Sequence, residues 1–193
     1  MPLMMAGAAS AQTTAKPPAP AAAAAPTSAV PPEAMSAAPT PAAAASSAQL
    51  TTADKNFVQK AAQGGVAEVQ MGQLAQQKAD NADVKQFAQT MIDDHTANDD
   101  QLAKLATTKG LNPPTDVGPM QQKMLTRLQG LDGKKFDRSY VNGQVKAHTA
   151  MLKLFQTEAK TTKDADLKAF AEQTVTTIEH HLTMAQGLAK AGA

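Results

Sequence analysis

The sequence predicts an all-α protein: four long amphipathic helices paired as two antiparallel hairpins, joined by a long connection that carries a short helix of its own. Three observations lead there. Beyond about residue 50, apolar residues recur at helical spacing in long runs with few interruptions. Aromatics are only 3 % of the 193 residues and Trp and Cys are absent, so a core must be built from Ala, Leu, Val and Met, which favour close helix packing over a sheet. The turn signals Asp80-Asn81, Gly110 with Pro113-Pro114, and Thr161-Thr162-Lys163-Asp164 cut the run into pieces of helix length.

The chain divides by composition. Residues 1–11 end in Ala9-Ser10-Ala11, a small-x-small cleavage pattern with Gln12 to follow, and read as a truncated secretory signal peptide. They lack a basic leading segment, so either the start lies upstream or the run is an Ala-rich tail; export, to the periplasm or beyond the cell, is the preferred reading. Residues 12–50 hold most of the prolines among Ala, Ser and Thr and are expected to be a disordered linker. Residues 51–191 carry nearly all the charge and form a helical domain long enough to bury its own core.

The first long helix is expected from about Asp54 to Lys78, capped by Thr51 or Thr52. Phe57, Ala61, Gly64, Glu68, Met71 and Ala75 share its inner face, and Gly64, Gly65 and Gly72 suit close approach of a neighbour. The Asp80-Asn81 turn makes the next helix its antiparallel partner, running to about Lys109. Val84, Phe87, Ala88, Met91, His95, Asn98, Leu102 and Leu105 face inward. A short amphipathic helix spans roughly Val117 to Gln129 within a connection long enough to cross the bundle. The third long helix runs from near Asp132 to about Lys160, with Val141, Val145, His148, Leu152 and Phe155 inward and Tyr140 off that stripe. Asp164 caps the last, which runs to about Lys190 with Leu167, Ala171, Thr174, Ile178, His181, Ala185 and Leu188 inward; His180, about 100° round the helix, faces out.

One polar residue interrupts each inner stripe: Glu68, His95, His148 and His181. At about 1.5 Å per residue, Glu68 and His95 both lie roughly 20 Å from the first turn, and His148 and His181 about 21 and 26 Å from the second. No other ionisable group is expected on these stripes. The four are therefore candidate ligands of one transition metal ion, since imidazoles suit zinc, copper, iron or nickel and a carboxylate completes four-coordination. Asp94 is placed to accept a histidine N–H. The alternative is a metal-free buried Glu–His network that fixes helix register in a non-enzymatic envelope or stress-associated interaction protein. Met71, Met91, Met151 and Met184 lie within a turn of the four and would favour Cu(I), though methionine is also ordinary filling in an Ala-rich core.

Net charge is +1, with 18 basic and 17 acidic residues, and lysines scattered near acids give no nucleic-acid footprint. Absence of Cys excludes disulfides, iron–sulfur clusters and thiol catalysis. No stretch reaches the ~20 apolar residues of a membrane span. No phosphate loop, Ser–His–Asp order or paired catalytic carboxylates can be read, and whether the protein is an enzyme stays open.

Phe57-Val58, Ala61-Ala62-x-Gly64-Gly65-x-Ala67-Glu68-Val69 and Val84-Lys85-x-Phe87-Ala88-x-x-Met91-Ile92-x-Asp94-His95 occur in order with Phe136-Asp137-Arg138-x-Tyr140-Val141, His148, Leu167-Lys168-x-Phe170-Ala171 and His181-Leu182. Together they closely resemble a bacterial domain-of-unknown-function family that carries an outer-membrane-protein label. The resemblance covers about residues 53–189 and implies an exported protein with a ferritin-like four-helix bundle and a long second connection, without implying an activity. It departs from di-iron members of that fold, which carry Glu-x-x-His pairs: the residues three before His95 and His181 are Ile92 and Ile178.

Overall fold

A computed structural model describes residues 49–193, and the signal-peptide and nearly all of the linker expectations lie outside those residues. The first described helix, α1 (Thr52–Lys78), begins with a reciprocal cap. Asp54 N–H donates to Thr51 Oγ1 at 3.1 Å, and Thr51 N–H donates to the Asp54 carboxylate at 2.7 Å. A turn capped by Asn81, whose side-chain oxygen accepts from Asp83 and Val84 N–H, starts α2 (Ala82–Thr108). Gly110, at φ +72°, closes α2 in the left-handed conformation that glycine takes without strain. The short helix α3 (Pro119–Gln129) begins two residues later than the sequence suggests, with Pro119 pre-setting its first turn. Then come α4 (Gly133–Thr161) and α5 (Ala165–Ala191), the latter capped by Asp164, which accepts from Leu167 N–H at 2.9 Å.

Helices α1 and α2 pack as one hairpin and α4 and α5 as the other, with α1 against α4, α2 against α5, and α3 lying on α1 and α4. No strand occurs among the described residues. The connection after α2 crosses the bundle lengthwise. Lys109 at its start is anchored at the α4–α5 turn by Asp164 at 2.7 Å, while Asp132 at its end pairs with Lys78, at the far end of α1, at 2.8 Å. The glycines of α1 serve close approach as expected. A Cβ on Gly72 would stand 3.0 Å from the Ala88 carbonyl of α2, and one on Gly65 would overlap the Asp99 carboxylate.

The apolar interior is in two parts. One groups Ala67, Met71, Val84, Phe87, Met91, Leu128, Phe136, Tyr140, Val141 and Ala185. The other groups Phe57, Val58, Ala61, Leu102, Phe155, Leu167, Phe170 and Ile178. On every long helix the residue that interrupts the stripe falls between the two parts: Glu68, His95, His148 and His181. A polar layer thus divides the core.

The inner face of α4 is rotated from the one read in the sequence. Val145 and Leu152 are only partly buried, whereas Tyr140 is fully buried and stacked on Phe136 at 5.8 Å. With that rotation Asp137, Gln144 and Glu158 also enter the interior, and Asp54 is buried beside them on α1. The expectation that the four site residues are the only ionisable groups inside therefore fails. Asp137 is turned inward because its carboxylate accepts the Asp80 and Asn81 N–H groups of the α1–α2 turn, at 3.2 and 3.0 Å, a partnership that no local pattern reveals.

Candidate metal centre

Each imidazole reaches the polar layer because it occupies a core position of its helix. His95 follows Met91 by one turn on α2, His148 lies one heptad before Phe155 on α4, and His181 lies three residues after Ile178 on α5. The rings are buried, at 8, 1 and 0 % exposure in that order. Their centroids form a near-equilateral triangle, with His95–His148 at 5.7 Å and both other pairs at 5.3 Å. One ring nitrogen from each lies within 4.8 Å of the others, forming a metal-competent donor set. His180 is exposed and takes no part, as its position on α5 dictates.

Hydrogen bonds fix the tautomer of two of the three rings. His148 Nδ1–H donates to the Gln144 carbonyl at 3.1 Å; a carbonyl only accepts, so Nε2 carries the lone pair. His181 Nε2–H donates to the Asp94 carboxylate of α2 at 2.9 Å, which leaves the lone pair on Nδ1. His148 Nε2, His181 Nδ1 and His95 Nε2 are all buried without a hydrogen-bond partner. Burial pushes the His95 pKa well below the usual imidazole value, and the neighbouring His148 and His181 rings push it further down. Burial also lowers that of His181, against the opposing pull of Asp94. These rings are thus held in the neutral form that ligates metals.

Glu68 is buried in the same layer but is not a member of the three-nitrogen set. Its carboxylate accepts from Gln144 Nε2 at 2.5 Å. Burial raises the Glu68 pKa, while His148 and Gln144 both work to lower it. Beside it a small cavity of about 10 Å³ touches Glu68, His95, His148 and Met151, too tight for more than one water. Met151 reaches this cavity across Gly64, where a Cβ would stand 2.8 Å from its Cε. The other methionines flanking the layer, Met71 and Met91, are core members, and Met184 packs on the same cluster.

Gln144 was missed in the sequence. Its side-chain amide donates to Glu68 while its main-chain carbonyl accepts from His148, and the only available signal was its position one turn before His148. Its own Oε1 and the Tyr140 hydroxyl are buried without partners. Burial, and after it the charge of Glu68, holds the Tyr140 pKa well above the usual phenol value.

Residues 39–188 match the family described as a domain of unknown function, DUF4142. The chain belongs to this family. No curated protein matches it. Three solved structures share the DUF4142 bundle's fold. A DUF305 fragment from Deinococcus radiodurans is 15 % identical with a TM-score of 0.64, covering 74 % of this chain and 99 % of that one. A DUF305 protein from Streptomyces coelicolor is 18 % identical with a TM-score of 0.62, over 73 % and 94 % of the two chains. CopM in its Cu(II)-bound form is 14 % identical with a TM-score of 0.62, over 72 % and 97 %. Identities this low establish a common bundle and nothing about ligands. No helix among the described residues of this DUF4142 chain is long and apolar enough to cross a membrane.

Proposed function

We propose that this DUF4142 protein is an exported bacterial bundle that binds one transition metal ion per chain through His95, His148 and His181. The observation that carries the reading is the convergence of three buried imidazoles, one ring nitrogen of each within 4.8 Å of the others, while His95 Nε2, His148 Nε2 and His181 Nδ1 have no hydrogen-bond partner. Three nitrogens around a tetrahedral ion at about 2.0–2.1 Å sit roughly 3.4 Å apart. The rings, whose donor atoms lie within 4.8 Å, therefore need only a small inward shift. The Gln144 carbonyl and Asp94 supply the outer hydrogen bonds that commonly orient metal-bound imidazoles. Glu68 is the fourth candidate; Gln144 would have to release it, which makes it a weaker ligand than the rings. CopM, named in a Cu(II)-bound form, has the same fold and supports copper as the first ion to try, with zinc and iron next. Export is supported by the Ala9-Ser10-Ala11 pattern and by the printed description of the Streptomyces neighbour as a "putative secreted protein".

The full chain, stripped with chelator and titrated with Cu(II) or Zn(II), is expected to hold one ion by elemental analysis. His148→Ala and His181→Ala should each lose it, and Glu68→Gln should keep the stoichiometry with weaker affinity. Full stoichiometry in both histidine variants rejects the assignment. The rival reading, a metal-free network that sets helix register, is supported by the Gln144–Glu68 and His181–Asp94 bonds. It is weakened by the rings themselves, whose free nitrogens bond neither to one another nor to Glu68. That reading requires a melting temperature indifferent to metal and to chelator.

A further inference from the structure

A second feature lies on the outside of the bundle, where α3 rests on α4. A groove of about 730 Å³ is lined by five cations, Arg127, Lys134, Lys135, Arg138 and Lys146, and by no carboxylate. In a chain of net charge +1 with 17 acidic residues that segregation needs a cause. The two acids nearest in sequence are both engaged elsewhere. Asp132 pairs with Lys78, and Asp137 is buried, accepting the N–H groups of the α1–α2 turn. Among the described residues none of the five cations forms a salt bridge, whereas Lys78, Lys109 and Lys168 all do. Lys134 and Arg138 also border an adjoining depression with Asp80 and Asp137, but within this groove the five cations meet no acid and stay unpaired.

The shape of the groove is also built. A Cβ on Gly143 would stand 2.1 Å from Met124 Cε, so only glycine lets the Met124 side chain lie flat on α4 as part of an apolar floor with Leu131. Ser139 and Asn142 add neutral hydrogen-bonding groups to the rim. The volume falls within the range of ligand sites. Two guanidiniums suit bidentate contact with phosphate oxygens, and three ammoniums supply charge without geometric demand.

We infer that the α3–α4 groove binds a ligand carrying several phosphate groups. That chemistry is shared by a free polyphosphate anion and by phospholipid head groups, and the test separates them. The full chain is titrated with sodium tripolyphosphate at 0.1 M NaCl by calorimetry. In parallel it is sedimented with phosphatidylcholine vesicles with and without phosphatidylglycerol. Arg127→Gln/Arg138→Gln and the charge reversal Lys135→Glu/Arg138→Glu alter only exposed side chains, and their melting curves confirm folding. Both variants are expected to bind at least about tenfold more weakly than the parent. Tripolyphosphate binding identifies a soluble anion; binding only to phosphatidylglycerol vesicles identifies a head group. The proposal is overturned if neither probe binds by 1 mM. It is equally overturned if folded variants bind within twofold of the parent, or if a single-stranded oligonucleotide binds tenfold more tightly than both probes.

Discussion

Replacing His95 by Leu separates the stability of the bundle from the use of its polar layer. His95 Nε2 is buried with no protein partner, so the imidazole bears a desolvation penalty that no protein group offsets. Relieving an unsatisfied buried polar atom is worth about 1–3 kcal/mol, and fitting the branched Leu into the histidine's space costs up to about 1.5 kcal/mol. The net expectation is a metal-free variant about 1 kcal/mol more stable than the parent, or roughly 2–5 °C in melting temperature for a domain of this size. Metal reverses the order. At a free concentration of one hundred times Kd, the parent gains about 2.7 kcal/mol. Loss of one of three imidazoles, if it weakens binding about a hundredfold, leaves the variant a gain of only about 0.4 kcal/mol at that concentration.

The assay is a pair of thermal denaturation curves, with chelator and with added Cu(II) or Zn(II), for parent and variant. The two melting temperatures should exchange rank between conditions. A variant more than 1 kcal/mol less stable in chelator would mean that His95 Nε2 has a stabilising partner, and the orphan argument would fall. Equal metal-induced shifts in parent and variant would dispose of the three-imidazole site.

Other perturbations test separate parts of the structure. Asp94→Asn keeps the size of the acceptor but weakens the bond that fixes the His181 tautomer, and should lower metal affinity about 10–100-fold without changing stoichiometry. Asp137→Ala strips two turn N–H groups of their acceptor and should cost about 2–3 kcal/mol in a urea melt. Glu158 is pushed up to about 7 by burial and by its contact with Asp54. A carboxyl with a raised folded-state pKa holds its proton in the folded protein, so its stabilising effect is present at acid pH and is lost as pH rises from about 4.5 to 7. Asp99, also raised to about 7 by burial and then by Asp100, adds the same slope. His95 and His181, both lowered, oppose it below about pH 6.5, where the unfolded chain gains protons that the folded rings resist. The difference between parent and Glu158→Gln removes these shared contributions. It should show the variant gaining about 1–2 kcal/mol relative to the parent between those limits, after discount for partial hydration; a flat difference would refute a buried proton on Glu158.

Much of the architecture is legible in the sequence because it is local. Thr51, Asn81, Asp164 and Gly110 mark helix ends through contacts within a few residues, and the structure uses all four at those ends. The stripes of α1, α2 and α5 are readable because apolar residues dominate one face of each. On α4 the periodicity is satisfied almost equally by two rotations. Phe136, Tyr140, Gln144 and His148 alternate with Val141, Val145 and Leu152 at the same spacing. What selects between them is non-local: the α1–α2 turn takes Asp137, Glu68 takes Gln144, and Phe87 meets Tyr140 at 6.1 Å. The heights of Glu68 and the three histidines are legible from residue counting, and all four are buried outside both apolar clusters. Counting at ~1.5 Å per residue cannot decide which of four groups in a layer share a point, or which ring nitrogen is free.

The way the free nitrogens arise bears on what the layer is for. His148 is fixed by a carbonyl one turn back in its own helix, and His181 by a carboxylate from the neighbouring α2. These are two unrelated constraints, yet each leaves a lone pair in the same small region. A layer whose task was helix register would gain most from mutual satisfaction of its polar groups, since each unsatisfied atom in a low-dielectric interior costs stability. Here the satisfied contacts, Gln144 with Glu68 and Asp94 with His181, join each of those groups to a residue outside the three rings, and one nitrogen of every ring is left without a partner. Ligands held from outside with their donors left open favour binding over bracing. The decisive comparison is His95→Leu combined with His148→Leu: a brace would lose helix order on this change, while a metal layer would lose its ion and gain stability.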